Sequence, residues 1–176
     1  SGLAPATAEN VIVLPFNNSR ACENLIRQHA ADLACVIIDP LSTAAGLTLP
    51  DPDFLTTLQN ITQELNILLI FDEIVSFRMT PGGTQAAYNI TPDLTCLGKV
   101  IAGGTPAGAF GGRKDILSLY DPTTGSPAIP QSGTYNGNPL VATAGLTTLN
   151  TMTPDAYTHI DTLTQHIANG LQNAFK

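Results

Sequence analysis

Two short, unbroken apolar runs constrain this chain most: Ala-Cys-Val-Ile-Ile at residues 34–38 and Ile-Leu-Leu-Ile-Phe at residues 67–71. Both have strand length, and neither alternates apolar with polar residues. A strand with one wet face alternates, whereas a continuous apolar run marks a strand covered on both faces, the setting of a parallel sheet. Helical signals lie between and around the runs. Ser19 is placed to cap a helix in which Cys22, Leu25, Ile26 and His29 recur at helical spacing. Asp51 as cap and Pro52 at the first helical position open a second, with Phe54, Leu58, Ile61 and Leu65 as its buried stripe. This alternation predicts an α/β fold, a mostly parallel sheet with flanking helices.

Further short strands are expected at residues 11–14, 94–97 and 107–111. Residues 121–131, rich in Pro, Gly, Ser and Thr, read as a loop. Asn138-Pro139 starts a helix of small residues ending near Asn150. Thr153-Pro154 starts another, striped by Tyr157, Ile160, Leu163, Ile167 and Leu171.

The chain is 43% hydrophobic but only 12% charged, which implies surface normally covered by a partner or by further chain. Its net charge is −7 and its seven basic residues are scattered, so it lacks the concentrated basic face that nucleic-acid phosphates require. No apolar run approaches membrane-spanning length, and the N-terminus has no basic segment leading into an apolar one, so a cytoplasmic setting is expected. The three cysteines, Cys22, Cys35 and Cys96, form no CxxC pair, and the histidines add no ligand spacing. Neither a disulfide framework nor a zinc site is expected, and Cys35 and Cys96 read as packing residues.

The chemistry-bearing residues lie in the middle of the chain. Asp72 ends the second apolar run, and in open α/β sheets ligands bind beyond the carboxyl ends of the strands. Lys99, one of three lysines, stands among Leu97, Gly98, Val100, Ile101 and Ala102. Burial in such surroundings favours the neutral amine, a nucleophile that forms Schiff bases with carbonyls. Gly103, Gly104, Gly108, Gly111 and Gly112 suit close backbone approach around the lysine better than a phosphate cradle, since GxGxxG spacing is missing. Gly133-Thr134, ahead of a helix start, offers a hydroxyl and a backbone N–H to a phosphate. Arg78 and Arg113 could meet a substrate carboxylate, but surface or interface ion pairs are the expectation for both.

Four blocks carry a family resemblance: FDEIVSFR at 71–78, TPDLTCLGK at 91–99, GGTPAGAFGGRKDI at 103–116 and SGTYNGNPL at 132–140. In this order the chain resembles a class III aminotransferase of pyridoxal phosphate (PLP) fold type I, nearest the glutamate-1-semialdehyde aminomutase branch. The resemblance implies that Lys99 holds PLP as a Schiff base and then moves the proton at the substrate Cα. It implies that Asp72 pairs with the pyridine nitrogen and that Ile74 packs on one ring face. Gly133 and Thr134 would serve the phosphate of the cofactor held by the neighbouring subunit, making the protein a homodimer with shared sites. The substrate would be a small amino donor or an amino-aldehyde.

The chain also departs from the pattern. The segment IVSFR lacks a glycine usual in the family, and Asp39-Pro40 stands where relatives often have Glu-Pro. The blocks match the middle of the family's large domain. The phosphate cup and stacking aromatic upstream, and the small domain downstream, have no counterpart here, and the opening Ser1-Gly2 reads as that of a fragment or a processed chain. Residues 1–150 are therefore expected to form part of the PLP-binding domain, and residues 151–176 a helix leading toward the small domain. The rival expectation is a non-catalytic fragment or docking module derived from this family.

Overall fold

The structure is a computed structural model that describes residue 2, residues 4–123 and residues 125–176, so Ser1 of the opening dipeptide and Thr124 of the expected 121–131 loop lie outside it. A short helix α1 (Pro5–Glu9) buries nothing. Residues 11–14, expected as a strand, pair with no strand among the described residues, and Val13 is 83% exposed. Leu14 packs on the core through its side chain, so the segment's apolar character serves packing without a ladder.

Helix α2 (Ser19–Gln28) is capped one residue earlier than expected. The Asn18 side chain accepts from Ala21 N at 3.1 Å, satisfying an amide of the first turn, while Ser19 is the first helical residue. After β1 (Cys35–Ile38), helix α3 (Phe54–Glu64) starts later than the Asp51-Pro52 signal indicated. Asp51 closes a turn instead: its carbonyl accepts Phe54 N at 3.0 Å, and its own N–H donates to Asn17 Oδ1 at 2.9 Å. There follow β2 (Leu68–Asp72), α4 (Gly83–Tyr88), β3 (Leu94–Gly98), β4 (Gly108–Gly112) and α5 (Lys114–Leu117). The chain ends in α6 (Pro139–Thr151) and α7 (Pro154–Ala174). Asn138 and Thr153 cap these last two as expected, Asn138 Oδ1 taking Leu140 N at 3.0 Å and Val141 N at 3.3 Å.

The four strands form one sheet in the order β1-β2-β3-β4. The first two pairings are parallel and β4 runs antiparallel to β3, so its five residues return from the lysine end of the sheet. Register places Val36, Leu69, Phe71 and Thr95 on one face and Ile37, Ile70, Asp72 and Cys96 on the other. The first face is sealed against Cys22 and Ile26 of α2 and Phe54, Leu58 and Ile61 of α3. Each such large side chain contributes about 1.5–3 kcal/mol by leaving water. The second face is only half covered, with Ile37 60% exposed. The expectation of cover on both faces is thus met on one side by the described residues. The expected stripe on α7 also lies open, with Ile160, Leu163, Ile167 and Leu171 exposed.

Candidate active site

Asp72 is the last residue of β2 and lies on the half-open face, opposite Cys96 in register. Its Oδ1 accepts from Ile74 N at 3.2 Å. Burial, and then the neighbouring charge of Asp72, push the Cys96 thiol above its ordinary value, so the two side chains are electrostatic neighbours. Ile74 follows the strand end and lies against β3: a Cβ added to Gly98 would stand 3.2 Å from Ile74 Cγ2, tighter than ordinary packing. The glycine therefore lets the aliphatic side chain lie beside the residue that precedes Lys99.

Lys99 opens a 3-10 turn (Lys99–Ala102) directly after β3, with φ at +48°. A left-handed conformation costs a non-glycine residue about 1–2 kcal/mol. Such strain persists only where the surroundings enforce it, and it clusters at functional sites. Two glycines bring neighbouring backbone close to this turn. Gly103, at φ +59°, meets the Ala144 carbonyl and the Gly145 backbone where a Cβ would stand, and a Cβ on Gly145 would run into the Ile101 carbonyl oxygen. Helix α6 therefore seats directly on the lysine turn. Of the glycine cluster, Gly103 and Gly108 face neighbouring backbone near the lysine end of β3, as expected; Gly112 faces Asp93 and Leu94 at the other end of that strand, and Gly104 and Gly111 meet nothing.

One expectation about Lys99 needs correction. Its apolar neighbours suggested burial, yet Lys99 is exposed while Ala102 is buried. The 3-10 turn sends successive residues to different sides, so apolar residues adjacent in sequence do not enclose the lysine. The described chain therefore leaves the Lys99 side chain open to solvent.

Gly133 and Thr134 are exposed, just ahead of α6. The Gly133 carbonyl accepts Asn136 N at 3.0 Å, and a Cβ on Gly133 would stand 2.8 Å from Asn136 Oδ1. The Thr134 hydroxyl makes no hydrogen bond among the described residues. The structure brings Asp72, Ile74 and Lys99 to adjoining strand ends and leaves the Gly133-Thr134 turn open to solvent. Arg113 pairs with Asp93 at 2.8 Å and with Asp115, at the end of β3 remote from Lys99, which is the ion-pair role expected of it. Arg78 is exposed and has no ion pair among the described residues.

Sequence reasoning missed Glu73. It is fully buried, and its carboxylate accepts from Thr84 N at 2.6 Å, Gln85 N at 3.1 Å and Gln85 Nε2 at 3.0 Å. An acid after a strand end reads as a loop carboxylate. Its partners lie eleven and twelve residues on, where no local pattern points back to it. Asp39, the shorter acid at the β1 end, is turned into its own loop, accepting from Leu41 N at 3.1 Å and Thr43 N at 2.8 Å. Among the described residues no cluster of His, Cys, Asp and Glu could hold a metal ion, and no helix is long and apolar enough to cross a membrane.

Comparison with known proteins bears on the family and the fold. The family model "Aminotransferase class-III" matches residues 5–176. A glutamate-1-semialdehyde 2,1-aminomutase from Thermodesulfovibrio yellowstonii is 42% identical over 177 residues, covering 99% of this chain and 41% of the relative. An omega-transaminase from Sphaerobacter thermophilus superposes with a TM-score of 0.95 at 44% identity, over 98% of this chain and 39% of that one. A transaminase with PLP bound gives 0.94 at 36% identity, over 99% of this chain and 41% of that one. The chain thus spans about two fifths of the length of the relatives it matches. Its fold is that of the fold type I PLP transaminases, and the chain belongs to the class-III aminotransferase family.

Proposed function

We propose that the protein carrying this chain transfers an amino group with pyridoxal phosphate, acting on a small amino donor or an amino-aldehyde. The observation that supports this most is the convergence of Asp72, Ile74 and Lys99 at the carboxyl ends of the neighbouring strands β2 and β3. The donor set suits the cofactor. Asp72 offers a carboxylate with one oxygen engaged by Ile74 N, suited to a ring nitrogen that carries a proton. Ile74 offers a branched apolar surface for a ring face, and Lys99 an exposed amine for an aldehyde. When bound, PLP withdraws electrons from the substrate Cα.

The chain's own residues then have distinct tasks. Asp72 keeps a proton on the ring nitrogen by placing negative charge beside it. Lys99 Nζ, once unprotonated, holds the cofactor and later carries the proton at the substrate Cα. Gly103 and Gly145 hold the lysine turn against α6. Transamination and intramolecular aminomutase chemistry use the same three groups, so the proposal is made at the level of amino-group transfer. The exposed Gly133-Thr134 turn fits a homodimer in which it reaches the cofactor phosphate in the neighbouring subunit. Residues 1–150 would then be part of the cofactor-binding domain, and α7 the lead into a further domain.

The test is to load the protein with PLP, reduce it with borohydride, locate the modified lysine by mass spectrometry and assay Asp72→Asn. Labelling is expected at Lys99 and not at Lys114 or Lys176. Asp72→Asn is expected to lose on the order of a thousandfold in rate, because a charge partner at a low-dielectric site contributes several kcal/mol to the transition state. Labelling spread over all three lysines, with no amino-group transfer by the parent, would defeat the proposal and favour a non-catalytic module; Asp72→Asn activity within about threefold of an active parent would remove Asp72 from the mechanism.

A further inference from the structure

We infer that Glu73 is a positioning residue that aims Asp72, through a buried clamp joining β2, β3 and α4; this rests on the proposed function. The argument begins with how loosely Asp72 is held. It closes β2, so the ladder supports it from one side, and among the described residues its carboxylate takes one hydrogen bond, from Ile74 N at 3.2 Å. Where Ile74 N lies therefore decides where the Asp72 carboxylate sits, and the residue that places Ile74 is Glu73.

Glu73 is anchored at both backbone and side chain. Its N–H donates to the Cys96 carbonyl at 3.0 Å, and its own carbonyl accepts Phe77 N at 3.1 Å. Strand alternation sends its side chain to the face opposite Asp72, where it is fully buried at the start of α4. There Oε2 takes Thr84 N at 2.6 Å, and Oε1 takes Gln85 N at 3.1 Å and Gln85 Nε2 at 3.0 Å. Ser76 Oγ lies 3.5 Å from Oε2. The same Gln85 Nε2 reaches Thr95 Oγ1 at 3.3 Å, so one amide links Glu73 to the strand that leads to Lys99. Gly83 completes the clamp: at φ +75°, a Cβ there would stand 3.0 Å from Glu73 Cδ and closer still to Oε2. Every side-chain partner donates to Glu73, a pattern an amide in its place cannot accept without turning a donor toward a donor. A buried carboxylate held this fully is costly to disturb.

The clamp ties the ends of β2 and β3 together three residues short of Lys99. It therefore sets the relation between the group that would hold the ring proton and the amine that would hold the cofactor. Loosening it should let Asp72 swing off the ring nitrogen without removing any group that touches the substrate.

The experiment compares the parent, Glu73→Gln and Gln85→Met in the PLP-loaded enzyme. The readouts are steady-state kinetics and the nitrogen-15 NMR shift of PLP labelled at its ring nitrogen, which reports protonation there. Glu73→Gln is expected to lower kcat about tenfold to a hundredfold with KM within threefold, and to move the nitrogen shift toward the unprotonated form. Gln85→Met keeps both backbone N–H bonds and is expected to show the same two changes to a smaller extent, about threefold to tenfold in kcat. It decides the matter should Glu73→Gln not fold or not hold PLP. An unchanged nitrogen shift, whatever happens to kcat, would overturn the inference and leave Glu73 a purely structural residue. Failure of the parent itself to hold PLP at Lys99 would instead mark failure of the proposed function.

Discussion

Replacing Gly145 with alanine tests whether α6 braces the lysine turn. A helix-interior Gly→Ala change normally stabilises by about 1 kcal/mol, because alanine loses less backbone entropy. At Gly145 the new methyl would meet the Ile101 carbonyl, with Ala102 Cα 3.8 Å away. These are backbone atoms, so no flexible side chain can move aside; either the helix or the turn must shift. Forcing a methyl into such a contact costs about 1–3 kcal/mol. Gly170, inside α7, supplies the control, since a Cβ there meets nothing within 4 Å. Gly145→Ala should therefore be about 1–3 kcal/mol less stable than Gly170→Ala, measured by urea denaturation of the protein carrying each change. Because the strain falls on residues 99–103, Gly145→Ala should also slow borohydride-trapped labelling of Lys99 by PLP, while Gly170→Ala leaves it unaltered. Equal stabilisation by both substitutions would show that α6 does not bear on the lysine turn, and the bracing argument would fall.

Thr134→Ala should weaken PLP retention by about 1.5–3 kcal/mol, the range for a hydrogen bond to a charged group. A mixed dimer of Thr134→Ala with Lys99→Ala subunits should contain one intact site and one doubly damaged site. PLP stoichiometry showing two half-damaged sites would rule out sharing. Asn138→Ala removes the side chain that caps α6 through Leu140 N and Val141 N, and a loss of about 0.5–2 kcal/mol in a denaturation series is expected. The acid limb of stability carries a further prediction. Hydrogen bonds from Arg27 hold Glu64, and those from Arg113 hold Asp115, below the ordinary carboxylate value. Their stabilisation is present above that ordinary value and is lost as pH falls through the lowered one. The double variant Glu64→Gln, Asp115→Asn should be slightly less stable than the parent at neutral pH. The gap should close on acidification and in high salt, because both pairs are exposed. A gap independent of pH would assign the effect to packing.

Much of this molecule was legible in short stretches of its chain. The runs at 34–38 and 67–71 became β1 and β2 because continuous apolar sequence is decided by the local cost of leaving it in water. Asn138-Pro139 and Thr153-Pro154 marked true helix starts because a cap is a hydrogen bond between residues two or three apart. Asp72 and Lys99 stood out as candidates because residue type and sequence order within the blocks at 71–78 and 91–99 are local features. The same locality explains the errors. Asn18 caps α2 although Ser19 carries an equally suitable hydroxyl, and residues 11–14 have strand composition but no partner edge. What tertiary structure alone decided rests on atoms far apart in the chain. Glu73 is a buried anchor only because Thr84 and Gln85 return to it. Gly103 and Gly145 matter only because α6 lands on the lysine turn, and Asp93 secures β2 by accepting Leu69 N from across the sheet at 2.8 Å. The exposure of Lys99 belongs to the same class, since burial depends on which segments close around a side chain, and apolar neighbours in sequence do not determine that.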